Sequence, residues 1–289
     1  MNQSIFQSPE ARNRLESWYE KFLNRVAVPT ESRFVATSHG ASHVLLAGNA
    51  ANPPLLCLHG SLSSSAHVAS ELQLLTERFY IIAPDLPGQS VRGLERRLPL
   101  KDDSLSQWLT EILDELKLDE VNLLGVSWGG FVALKTAAAA PRRIKRLVLI
   151  VPTGVVSGSI WTGITRVGLP MFLYKMFPSE RRLRTFVEPM FSTWDDDWAN
   201  YMGDAIRDFV LDLTVPPLAK TDALQEFKNP ALVIGGSDDI SFPGGKLVER
   251  AKVLMPQVEV ELLENCRHSP PQTDEFRRWL SSRLTRFLE

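Results

Sequence analysis

Ser127 stands at the centre of Gly125-Val126-Ser127-Trp128-Gly129, a serine with glycines two residues before and two after it. It follows a strand-like run at residues 121–124 and precedes a helical stretch that begins near Phe131. A sharp strand-to-helix turn lifts its central side chain out of the sheet, and bulk at either flanking position would collide as the chain folds back. The chemistry this suggests is nucleophilic attack on an acyl carbon. A serine hydroxyl needs a base for that. Five histidines occur (His39, His43, His59, His67 and His268), and only His268 lies after Ser127. It falls in the loop after a strand at 258–262, the sheet edge where ligands meet such folds. An acid that orients the histidine belongs on the same edge. Gly235-Gly236-Ser237-Asp238-Asp239 follows the strand at 231–234 and offers Asp238 or Asp239. Leu58-His59-Gly60-Ser61 ends an earlier strand; there the Ser61 amide, with that of Trp128, could receive a developing oxyanion. His59 reads as structural. His39 and His43 fall in a hairpin, His67 on a helix surface, and Asp195-Asp196-Asp197 at the surface or a helix start.

A loop histidine and a Gly/Asp turn also arise without chemistry. What gives these their meaning is the order of elements. Ser8-Pro9 is a helix start, and Leu15, Trp18, Tyr19, Phe22, Leu23 and Val26 recur at helical spacing, so a helix is expected over 9–26, ended by Pro29. Extended runs at 33–37 and 43–47 read as a hairpin. The run 55–58 is apolar throughout, as in a strand covered on both faces. Helical stretches at 68–75, 104–116 and 131–140 then alternate with strands at 79–83, 121–124 and 147–151, which implies βαβ units. The rhythm stops after Val151 and resumes at 231–234, with a helix near 246–254 and a last helix capped by Thr273.

The interruption reads as an inserted helical subdomain. It holds ten aromatics (Trp161, Phe172, Tyr174, Phe177, Phe186, Phe191, Trp194, Trp198, Tyr201 and Phe209) and four of the six methionines. A small subdomain needs large residues to build any core. The same residues could line an apolar substrate path.

The 289 residues hold 32 basic and 34 acidic side chains, a net charge of -2, which speaks against a nucleic-acid partner. No apolar run approaches the ~18–20 residues of a membrane span. Residues 1–15 carry no apolar run of the signal-peptide kind, and two free cysteines, Cys57 and Cys266, suit a reducing compartment. The expected location is cytoplasmic, with neither metal nor organic cofactor.

In these residues the chain resembles the α/β-hydrolase superfamily from about residue 54 to 288. The family's elements arrive in order: His59-Gly60, Asp85-Leu86-Pro87-Gly88-Gln89-Ser90, the Ser127 turn, Pro152, an inserted cap, Gly235 to Asp238, and His268. The opening helix and hairpin are similar to those of bacterial carboxylesterase-like hydrolases. The resemblance implies an α/β-hydrolase fold, with a mostly parallel central sheet of about eight strands, flanking helices and a helical cap. Residues 1–154 and 226–289 would form the core and 155–225 the cap. Aligning the family's Gly-x-x-Asp on Gly235 puts the acid at Asp238. The triad is then Ser127, Asp238 and His268, with oxyanion donors at Ser61 and Trp128 and structural roles for His59, Gly60, Gly125 and Gly129. The implied activity is hydrolysis of small or medium carboxylic esters with an apolar part, through an acyl-enzyme. The same triad also serves carbon–carbon bond hydrolases, thioesterases, amidases and perhydrolases, and a ligand-binding receptor on this fold is a further alternative. The partner is a small molecule, and the protein a monomer or homodimer. Two positions depart from the family. The 85–90 loop is shortened, and Arg267 replaces the usual glycine before the histidine; it is expected to point to solvent.

Overall fold

The computed structural model describes residues 4–289. Eight strands form one sheet in the order β1-β2-β4-β3-β5-β6-β7-β8. β1 (Thr30–Thr37) and β2 (Gly40–Ala47) are the expected hairpin. β2 joins β4 (Tyr80–Pro84) antiparallel, and every later pairing is parallel: β3 (Pro54–Leu58), β5 (Val121–Val126), β6 (Ile144–Ile150), β7 (Ala231–Gly236) and β8 (Glu259–Leu263).

The continuous apolar runs conceal a period of two. Leu56, Leu58, Leu123, Leu147, Leu149 and Val233 point to one face, where α3 (Ser104–Glu115), α4 (Trp128–Ala139) and α9 (Gly244–Leu254) cover them. Leu55, Cys57, Leu124, Val148, Leu232 and Ile234 point to the other, under α1 (Pro9–Leu23), α2 (Ser65–Leu72) and α10 (Asp274–Leu288). A strand buried on both faces must be apolar at every position, which is why alternation was invisible there.

Ser8 caps α1 by accepting the Ala11 amide at 3.2 Å. The helix ends at Leu23, one turn short of the expected Val26; the Val26 amide bonds the Leu23 carbonyl in a tighter turn. Between β6 and β7 come α5 (Ile160–Gly163), a π-helical turn (Ile164–Gly168), α6 (Leu169–Met176), α7 (Glu180–Val187) and α8 (Asp196–Asp208). Tyr174, Leu183, Phe186, Val187, Phe191 and Ile206 form a separate small core there. Asp195 caps α8. The α1 helix clasps this segment: Arg14 bonds Asp208 at 2.9 and 2.5 Å, Trp18 Nε1 bonds Asp204 at 2.8 Å, and Lys21 and Arg25 pair with Asp197.

His67 is not on a helix surface. α2 lies beneath α1 and α8, so its surface is covered apart from the half-buried Glu71. His67 is buried, stacked within 3.9 Å of the Phe22 ring centroid and 4.1 Å of that of Tyr201. Among the described residues no helix is long and apolar enough to cross a membrane.

Candidate active site

Ser127 occupies the junction of β5 and α4 with φ 49° and ψ -110°, a strained conformation for a residue with a Cβ. The flanking glycines are sterically required. A Cβ on Gly125 would lie 2.5 Å from the Gly129 carbonyl oxygen, and one on Gly129 would lie 2.3 Å from that of Leu58. So the turn packs onto the end of β3, which brings Gly60 against Ser127.

The Ser127 hydroxyl is 3.0 Å from His268 Nε2, across 141 residues of sequence. On the other side of the ring, His268 Nδ1 is 2.9 Å from Asp239 Oδ2. Asp239 is 2% exposed, and its second oxygen accepts the Ser241 and Phe242 amides at 2.7 and 2.9 Å. Three hydrogen bonds therefore fix this carboxylate before any substrate arrives. The Nδ1–H tautomer that it selects leaves Nε2 free to take the serine proton.

The expected acid, Asp238, is elsewhere. It is exposed, and among the described residues its carboxylate meets only the Ser237 hydroxyl at 2.9 Å. Its amide donates to the Cys266 carbonyl, which turns the side chain outward and presents the next residue to His268. The reason is the pair of glycines. Gly236 is the one that abuts the histidine loop, where a Cβ would sit 2.3 Å from the Cys266 carbonyl oxygen. Counting Gly-x-x-Asp from Gly236 gives Asp239.

Ser61 and Trp128 follow Gly60 and Ser127 directly, and neither amide donates a hydrogen bond within the protein among the described residues. The loop carrying Ser61 is braced on both sides. The Gln89 side chain accepts the Leu62 amide at 3.2 Å, and the Tyr201 hydroxyl donates to the Leu62 carbonyl. Neither brace was identified from sequence, although Gln89 lies in the shortened loop.

His59 is buried and bonded at both nitrogens. Nε2 accepts the Leu86 amide at 2.9 Å, so Nδ1 must carry the proton that meets the Gly60 carbonyl at 2.7 Å. Burial holds its pKa below the usual histidine value, in keeping with a neutral ring. Behind it the buried Asp85 gathers His43 Nδ1 at 2.6 Å, the Ser65 amide and hydroxyl at 2.8 and 2.7 Å, and the Ser90 hydroxyl at 2.5 Å. That network fixes the 85–90 loop against β2 and the start of α2.

Arg267 does not point to solvent. Its guanidinium donates to the Glu188 and Phe191 carbonyls, at 2.5 and 3.1 Å. Ser192 Oγ accepts the Arg267 amide at 2.8 Å and donates to the Ser269 carbonyl at 2.7 Å. The histidine loop is thus laced to the segment after α7, whose carbonyls need donors where the helix ends. Among the described residues no group of three or more His, Cys, Asp or Glu is placed to hold a metal ion.

Comparison with known proteins gives a consistent picture. The carboxylesterase YbfK of Bacillus subtilis is 24% identical over 287 residues, covering 91% of this chain and 90% of its own. A 2-hydroxy-6-oxononadienedioate/2-hydroxy-6-oxononatrienedioate hydrolase of Cupriavidus pinatubonensis is 27% identical, covering 82% and 89%. The crystal structure of naproxen esterase from B. subtilis superposes with a TM-score of 0.84 at 18% identity, over 98% of this chain and all of that one. The alpha/beta hydrolase family model matches residues 55–279, and the chain belongs to that family.

Proposed function

We propose that this protein is a serine hydrolase of small or medium carboxylic esters with an apolar acyl or alkyl part. The observation that carries the reading is the continuous line from Ser127 Oγ through His268 to Asp239, with links of 3.0 and 2.9 Å, at a strained turn. Similarity to YbfK supports the ester as the bond cleaved.

In this reading Ser127 Oγ attacks the ester carbonyl while His268 Nε2 takes its proton. The tetrahedral oxyanion faces the free amides of Ser61 and Trp128; one such donor is worth ~3 kcal/mol of transition-state stabilisation. His268 then protonates the leaving alcohol, and the acyl group stays on Ser127. Water, deprotonated by His268, attacks the acyl-enzyme and the acid departs. Asp239 keeps the ring oriented and stabilises the imidazolium in both halves. Residues 155–225, with α5 to α8, act as a cap over the site and hold the histidine loop through Ser192 and Arg267.

The test is labelling with a fluorophosphonate, read by intact mass. Stoichiometric labelling that disappears in Ser127→Ala is expected, followed by turnover of p-nitrophenyl esters of graded acyl length. Absence of labelling in folded wild-type protein would remove the reading and leave a ligand-binding role. Carbon–carbon bond hydrolysis is the second reading, favoured by the similarity to the Cupriavidus hydrolase. It would show as turnover of aryl dienoates exceeding that of every ester.

A further inference from the structure

The first helical run of the insertion, α5 through α6, has an outer face of exposed apolar side chains. Ile160 is 79% exposed and Trp161 75%, and Ile164, Leu169, Phe172 and Met176 are each more than half exposed. Its inner face is accounted for, since Val167, Met171 and Tyr174 pack on the small core.

The spacing of the outer residues does not fit a regular α-helix. At about 100° per residue, positions 160–164 and 169–176 would lie on sides of the helix about 110° apart. The π-helical turn at Ile164–Gly168 takes up one extra residue and winds the second half back by about 100°. This irregularity gathers two apolar half-stripes into one continuous ridge. A π-turn is an unfavourable local choice, and here its effect is to expose large apolar side chains together on one side.

The surroundings of the ridge are cationic. Residues 160–187 contain Arg166, Lys175, Arg181, Arg182 and Arg184 against one acid, Glu180, in a chain whose net charge is -2. None of the five forms an ion pair among the described residues, whereas the cations of α1 are paired. An apolar ridge beside unpaired cations is the pattern of a helix that lies in a membrane interface. Two copies of the chain meeting face to face across this ridge would set those cations against one another.

The geometry points to the α5–α6 ridge as a docking surface for an anionic phospholipid bilayer. Trp161 and Phe172 enter the acyl boundary, and Arg166 of the π-helical turn, Lys175 of α6 and the arginines of α7 meet the headgroups. This holds whatever reaction Ser127 performs, and its test needs no substrate.

The experiment is co-sedimentation of the whole protein with vesicles of phosphatidylcholine alone and of phosphatidylcholine with phosphatidylglycerol, at ~0.1 M and ~0.5 M salt. Wild-type protein should bind the anionic vesicles, less the neutral ones, and lose affinity in high salt. Trp161→Ser/Phe172→Ser should weaken binding roughly tenfold or more, two large apolar side chains being lost from the interface. Arg166→Gln/Arg181→Gln should reduce the salt dependence. Circular dichroism melts establish that the variants, altered only at exposed positions, remain folded. No binding to anionic vesicles, or equal binding by the serine variant, overturns the proposal. So does a lipid-free dimer in sedimentation velocity that the serine variant dissociates, because the ridge would then belong to a second copy.

Discussion

Replacing Asp239 with asparagine, beside the same change at Asp238, separates two neighbouring carboxylates by their surroundings. Asparagine at 239 is nearly isosteric. Its carbonyl can still accept the Ser241 and Phe242 amides, which now meet Oδ1 at 2.7 and 2.9 Å. The fold should therefore survive. Its amide group then faces His268 Nδ1, where a donor meets a donor unless the ring changes tautomer. In the other tautomer Nε2 carries the proton and cannot take one from the Ser127 hydroxyl 3.0 Å away. A misoriented base of this kind costs about 10⁴ in kcat, or ~5 kcal/mol of barrier. Asp238→Asn disturbs only an exposed contact with Ser237 and should change the rate less than about twofold. The assay is kcat and KM on a p-nitrophenyl ester, with fluorophosphonate labelling rate as a second readout. Loss at Asp238→Asn comparable to that at Asp239→Asn, or a drop under tenfold at Asp239→Asn, would refute the assignment.

Four other outcomes can be measured on the same protein. Ser127→Gly and Ser127→Ala both lack the hydroxyl, yet the glycine variant should be the more stable by ~1 kcal/mol in urea, because only glycine tolerates φ 49° and ψ -110° without strain. Gly129→Ala should cost ~3 kcal/mol or more, or prevent folding, since its methyl would press on the Leu58 carbonyl at 2.3 Å. Burial raises the Asp85 carboxyl, but the His43 bond and charge outweigh it and hold the pKa at about 2. Stability from this group is present above its unfolded value near 4 and is lost as pH falls through about 2, so an acid titration of Asp85→Asn should be flatter in that window. Burial instead pushes His67 well below its ordinary value, so the unfolded chain binds the extra proton. Stability should therefore fall as pH drops below about 6.5, and His67→Phe should lessen the slope of the melting temperature there.

The strands, the flanking helices and the serine turn were legible because their signals are local. Gly125 must be small for a steric reason confined to a few residues, the Gly129 carbonyl oxygen lying 2.5 Å from a Cβ there, and the apolar runs announce strands covered on both faces. His268 could be singled out by its place after a strand, and the fold brings it to Ser127. The acid could not be chosen that way. Gly235 and Gly236 allow two registers one residue apart, and in the turn that follows β7 neighbouring side chains point in different directions. What brings Asp239 to His268 is the Cys266 carbonyl pressed against Gly236, a contact between the end of β7 and a loop thirty residues on. His67 reads as a surface helix residue until α1 and α8 close over it. Arg267 reads as solvent-facing until the α7 carbonyls come within reach. The sequence by itself determined the layers and singled out Ser127 and His268, since periodicity, turn sterics and order along the chain are written residue by residue. Only the tertiary structure decided which carboxylate meets His268, the braces and the exposed ridge, because each depends on which distant atoms arrive at hydrogen-bonding or contact distance.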